Sequence, residues 1–103
     1  MGNTPAGRTR YHRGVPTPLE LDPEAADELA RLWDTEPDTA RRVEDVLDRI
    51  EANLGAADVR RRLLRPPGLW MLTVRRHTGL DVVILWDLDG DVPVVRVLRD
   101  DFT

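Results

Sequence analysis

The side chains able to do chemistry are few in kind. The chain has 15 basic residues, all of them arginine, 19 carboxylates, two histidines and no cysteine, lysine, serine or glutamine. That alphabet excludes a thiol or serine nucleophile, a Schiff-base lysine and a phosphate-loop lysine. Acid–base work would fall to a histidine or a carboxylate. Anion binding would fall to arginine, whose planar guanidinium grips phosphate through paired N–H donors. His77 stands beside Arg75 and Arg76. Imidazole titrates near neutrality, so a general acid or base in an arginine-rich site is its functional reading. A solvated histidine at a turn is the plain one.

Charge is sorted along the chain. Net charge is −4, yet residues 1–15 hold three Arg and no acid, and residues 16–58 hold four Arg against thirteen acids. Residues 59–79 hold six Arg and no acid, and residues 80–103 hold two Arg against six acids. So acidic a body excludes a generally basic nucleic-acid binder. The block from Arg60, Arg61, Arg62 and Arg65 to Arg75 and Arg76 is the sharpest local feature. It suits RNA phosphates, or an acidic surface on a partner or on the chain's own helices. The acidic body, which repels nucleic acid, favours the second reading.

Asp87-Leu88-Asp89-Gly90-Asp91 has the spacing that opens a calcium loop. The twelfth position is Leu98 rather than Glu, and the flanks read as strands, so the segment is a turn. No metal and no cofactor are expected, and no small-molecule ligand is indicated. No apolar run approaches the roughly 18–20 residues of a membrane span. The arginine-bearing N-terminus lacks the apolar stretch of a leader. A reducing cytoplasm is the expected compartment for a chain without cysteine.

The elements that must position these groups follow from periodicity. Residues 1–15 have almost no apolar side chains and read as a flexible arm containing arginine. Residues 16–103 read as one domain. Leu19 and Leu21 alternate with polar neighbours as one face of a short strand. Asp22-Pro23-Glu24 opens a helix to about Trp33, with Ala26, Leu29, Ala30 and Trp33 on one face. Asp38 or Thr39 is expected to cap a second helix. Its buried stripe is Val43, Val46, Leu47, Ile50 and Leu54, and Gly55 closes it. Residues 56–67 have no clean period and read as a loop.

From Gly68 the period becomes two. Trp70, Leu72 and Val74 form one face, and residues 82–86 are apolar on both faces, which marks a central strand. Asp89-Gly90 signals a hairpin with two positive φ angles, and Val92–Leu98 is the last strand. Trp33, Trp70 and Trp86 all fall on apolar stripes and are expected in the core. The expected class is α+β: an N-terminal strand, a two-helix hairpin, then a three-stranded antiparallel meander.

Several segments carry a resemblance. Residues 19–25 followed by two helices, Pro67-Gly68-Leu69-Trp70-Met71-Leu72-Thr73-Val74-Arg75, Gly79–Trp86 and Val94–Leu98 together resemble the RelE/ParE superfamily of toxins. The likeness spans about residues 17–99. It implies a toxin of a type II toxin–antitoxin system, with a cognate antitoxin as partner. Members of this kind cleave mRNA on the ribosome without metal, or inhibit DNA gyrase. Arg75 and Arg99 match basic positions of the family. With His77 as acid or base, Arg75 is the implied catalytic pair's cation. Arg60, Arg61, Arg62, Arg65, Arg76 and Arg99 would then hold RNA or a partner. Asp81 stands where the family commonly has arginine, and Met71 and Thr73 stand where RelE-like enzymes place basic residues. An mRNA interferase with weakened or lost activity is therefore the first expectation. A ParE-like gyrase inhibitor and a non-catalytic protein-interaction domain are the alternatives.

Overall fold

The computed structural model describes residues 8–11, 18–53, 62–64, 69–76 and 79–100, with 62–64 described as backbone only. In chain order these form β1 (Thr9–Arg10), β2 (Glu20–Leu21), α1 (Pro23–Thr35), α2 (Pro37–Ala52), β3 (Arg62–Leu64), β4 (Leu69–Val74), β5 (Val82–Asp89) and β6 (Val92–Asp100). The strands make one sheet in the order β1-β2-β6-β5-β4-β3. The β2–β6 pair is parallel, with Glu20 opposite Val94 and Leu21 opposite Val95. The other pairs are antiparallel. The α+β class, the helix pair and the antiparallel run β4-β5-β6 are as the periodicity implies.

Two short strands lie where irregular chain was expected. Thr9–Arg10, within the supposed arm, pairs with β2, and Arg62–Leu64, within the supposed loop, pairs with β4. Both are edge strands of two or three residues, too short for a period of two to show. The first is held by charge. Arg8 Nε lies 2.9 Å from Glu20 Oε1, and its Nη1 lies 2.9 Å from Asp89 Oδ2. Glu20 is buried in the sheet, so this cation offsets the desolvation of its carboxylate.

Pro23 opens α1, where its fixed φ and missing N–H cost nothing. Asp22 takes the cap position but its carboxylate makes no cap hydrogen bond. It lies instead 3.6 Å from Arg96 Nη1, while the Asp22 N–H donates to the Val95 carbonyl at 3.0 Å. The helix start is thus tied to β6. One residue, Glu36, joins the helices. Its N–H donates to the Leu32 carbonyl at 2.6 Å, and its carbonyl accepts from Ala40 N–H at 3.0 Å. Accordingly α2 starts at Pro37, and neither Asp38 nor Thr39 caps it. The Thr39 hydroxyl donates to the Glu36 carboxylate at 3.3 Å.

α2 buries Val43, Val46, Leu47 and Ile50 as its spacing requires. Leu54 and Gly55 lie outside the described residues. α1 is rotated from expectation. It buries Ala25, Leu29 and Leu32, while Trp33 is 39% exposed. Two apolar stripes share Leu29, and the fully buried Leu32 decides between them. Trp33 can stay outside because Glu44 Oε2 accepts its indole N–H at 2.6 Å.

β5 is buried on both faces. Val82, Ile84 and Trp86 join the helices' core with Leu72, Val74, Val95 and Leu98, and Val83 and Leu85 are buried on the opposite face. Trp86 is fully buried and lies opposite Trp70, with ring centroids 4.8 Å apart at 39°. In β6 the register slips: Leu85 faces Val97 but Trp86 faces Val95, which leaves Arg96 as the extra residue of a bulge. The Arg96 guanidinium donates to Asp87 Oδ1 at 2.8 Å. Partial burial pulls its pKa down, but the bond and charge of Asp87, helped by Asp22, more than reverse this and the net direction is up. Asp89 pairs with Val92, so the β5–β6 turn is Gly90–Asp91, one residue later than the sequence suggested. Gly90 has φ 63°, and among the described residues no non-glycine φ is positive. That is the pattern of a type II′ turn, with glycine first, rather than one with two positive φ angles.

Candidate functional site

The arginines singled out by the sequence divide into those the fold presents and those it consumes. Arg75 follows the last residue of β4 and is exposed. Its carbonyl accepts from Arg42 Nη1 at 3.2 Å, which brings a guanidinium of α2 to the end of β4. Arg99 is exposed on β6 and pairs in register with Val83, which pairs with Thr73 on β4. Arg99 therefore stands two strands, roughly 10 Å, from the β4 end that carries Arg75. Arg62 pairs with Met71 through the backbone of β3. His77, Arg60, Arg61 and Arg65 lie outside the described residues.

Arg76 is the exception: the sequence reads it as a cation that would hold RNA or a partner, and the fold turns it onto the protein's own carboxylates. Its side chain is only 7% exposed. Nη1 lies 2.6 Å from Asp100 Oδ1 and donates to the Leu80 carbonyl at 3.0 Å. Nε lies 3.0 Å from Glu36 Oε1, in a contact that is ionic rather than a well-aligned hydrogen bond. The Arg76 N–H approaches Asp81 Oδ1 at 3.5 Å. One cation thus gathers the α1–α2 junction, the end of β6 and the β4–β5 turn. Its Nε and Nη1 are thereby committed to the protein's own carboxylates and carbonyl. A run of arginines in sequence cannot show this, because Glu36 and Asp100 are remote in the chain. Their meeting follows from the register, which sets Asp100 across Val82 from the end of β4 at Val74, and from the α1–α2 junction lying at that same end of the sheet.

The groove of about 480 Å³ between α1 and β6 is not a phosphate cradle either. Arg31, Arg96 and Arg99 line it together with Glu24, Glu28 and Asp100. Arg31 is already bound to Glu28, through Nε at 2.9 Å, and this pairing raises its pKa. Among the described residues no group of three or more His, Asp or Glu is placed to hold a metal ion. None of the described helices is long and apolar enough to cross a membrane.

The described residues therefore offer a sheet face with exposed cations at Arg75 and Arg99, and Arg42 beside the first. Such a face can bind an anionic surface. Catalysis of phosphodiester cleavage would also need a base and donors converging on one phosphate. Asp81, on the turn beside Arg76, and Asp100 bring negative charge to that end of the sheet instead. No protein-family profile, no curated protein and no solved structure matches this chain.

Proposed function

We propose that this chain is the toxin-like member of a toxin–antitoxin pair and that it acts by binding a macromolecular target, not by cutting RNA. The element order β2-α1-α2-β4-β5-β6 supports the first half, because it is the order implied by the resemblance to RelE/ParE toxins. The observation that carries the second half is Arg76. Arg76, beside the implied catalytic pair and read as one of the cations that would hold RNA, is spent inside the fold on Glu36 and Asp100. Losing one well-placed electrostatic donor typically costs about 100- to 1000-fold in rate. Asp81, Met71 and Thr73 add no compensating charge.

The test has two arms. Induced expression of the chain alone should arrest bacterial growth, and an unaffected culture would refute the toxin reading. Primer extension on mRNA translated with the purified protein should show no ribosome-dependent cleavage. Strong cleavage that disappears in Arg75→Ala or His77→Ala would overturn the binding-only mechanism. A DNA supercoiling assay then separates gyrase from other targets.

A further inference from the structure

The apolar surface that α1 leaves uncovered forms a slot. Ala26, Ala30 and Trp33 follow one another at helical spacing on the side of α1 away from its most deeply buried residues. Together with Leu21, Leu29 and Tyr11 they line a cavity of about 360 Å³ between β1 and the helix pair. This is near the small end of ligand clefts, with room to spare for one long side chain. Both aromatic rings are tethered by their polar ends to one residue of α2. The Trp33 indole N–H donates to Glu44 Oε2 at 2.6 Å, and the Tyr11 hydroxyl donates to the Glu44 carbonyl at 3.2 Å. Tyr11 stays neutral, because burial first and then the charges of Glu44 and Asp48 push its pKa up. The ring faces, not the polar tips, are left for an occupant.

The rim decides what that occupant is. Helical spacing puts Asp27 and Asp34 on the solvent side of the Ala26–Trp33 stripe, and both are exposed. On α2 the same spacing puts Asp48 one turn beyond Glu44. Among the described residues the one cation lining the slot is Arg10, 3.9 Å from Glu20. An apolar floor, aromatic walls and a carboxylate rim suit a side chain with an apolar stem and a delocalised cationic head.

We propose that this slot receives an arginine side chain from a basic segment of a protein partner. The stem packs on Leu29 and Ala30, and the guanidinium covers the Trp33 face within reach of the carboxylates. This inference stands on the slot itself and is independent of the toxin reading.

The test uses the whole protein, ¹⁵N-labelled at its tryptophans, with hexa-arginine amide as the probe and hexa-glutamate as control. The indole signal of Trp33 is the one absent from the Trp33→Ala spectrum. It should shift saturably with hexa-arginine and not with hexa-glutamate. Trp33→Ala leaves net charge unchanged and should weaken binding roughly tenfold, whereas Trp33→Phe should keep most of it. Ala30→Arg, at an exposed position, places a tethered guanidinium at the slot and should block the probe even if Trp33→Ala fails to fold. Equal binding by wild type and Trp33→Ala, or undiminished binding by Ala30→Arg, would mean that the acidic body alone attracts the peptide, and would overturn the proposal. So would a Trp33 shift that grows with protein concentration in the absence of peptide, since a second copy of the chain would then be the occupant.

Discussion

Replacing Arg76 with alanine separates a structural cation from a ligand-binding one. Breaking a buried ion pair typically costs about 3–5 kcal/mol, chiefly because the orphaned charge stays buried. Here the orphans can recover water. The side chain of Glu36 is 33% exposed and that of Asp100 is 54% exposed, although the Arg76 side chain between them is 7% exposed. The carbonyl of Leu80, an exposed residue, can also exchange its lost donor for water. These facts bring the expected loss down to about 2 kcal/mol. For a domain of this size that is a fall in Tm of roughly 8–15 °C. Arg75→Ala, on the exposed neighbour, should stay within about 0.5 kcal/mol of wild type. Urea unfolding followed by tryptophan fluorescence measures both. Equal midpoints for the two variants would refute the structural role of Arg76. So would a folded, fully stable Arg76→Ala protein that had lost RNA binding.

Two further outcomes follow from the core and from the single tyrosine. Trp86→Ala empties a fully buried site against Trp70 and should cost about 3–5 kcal/mol, and a loss below about 1 kcal/mol in the same urea experiment would refute the proposed core. Tyr11 has its pKa raised in the fold, so its contribution is complete below the unfolded value of about 10 and is lost as pH rises beyond it. Wild type should therefore lose stability above about pH 10 more steeply than Tyr11→Phe. Because the chain has one tyrosine, ultraviolet difference absorbance reads its ionisation directly, and a folded-state midpoint near 10 would contradict the structure.

The parts of the fold that could be read in advance are those where one physical signal dominates. Alternation in Trp70–Val74, apolar character on both sides of residues 82–86 and the stripe Val43–Ile50 each report burial that the structure shows. Pro23 marked a helix start because proline costs nothing there, although Asp22 turned out to serve Arg96. The misreadings came where two signals compete. On α1 the stripes Ala25–Leu29–Leu32 and Ala26–Ala30–Trp33 differ by one position, and only the packing of Leu32 against the sheet separates them. β1 and β3 are defined by backbone pairing to partners that no local pattern names. The site was the least legible. Arg75 and Arg76 are adjacent and chemically identical, and their opposite fates depend on carboxylates from α1–α2 and β6.

The parallel pairing of β2 with β6 also fixes when the fold can be completed. Glu20 and Leu21 find their partners at Val94 and Val95, across most of the chain, and Asp22 docks on Val95 and Arg96. α1 follows directly after β2 in the chain, yet β6, on which it packs, comes after every other described element. During synthesis α1 therefore lacks the strand it packs on until β6 arrives, whereas α2 meets β4 earlier. Contacts of such long sequence separation close slowly, because loop entropy is lost before burial returns it. A fragment cut before residue 92 would keep α2 on β4 and β4 on β5 but lose the strand on which α1 and β2 dock. Such a fragment should remain open, with its apolar faces available to chaperones or to aggregation. Among the described elements β6 is thus the clasp: α1 and β2 dock on it, and β5 pairs along its length.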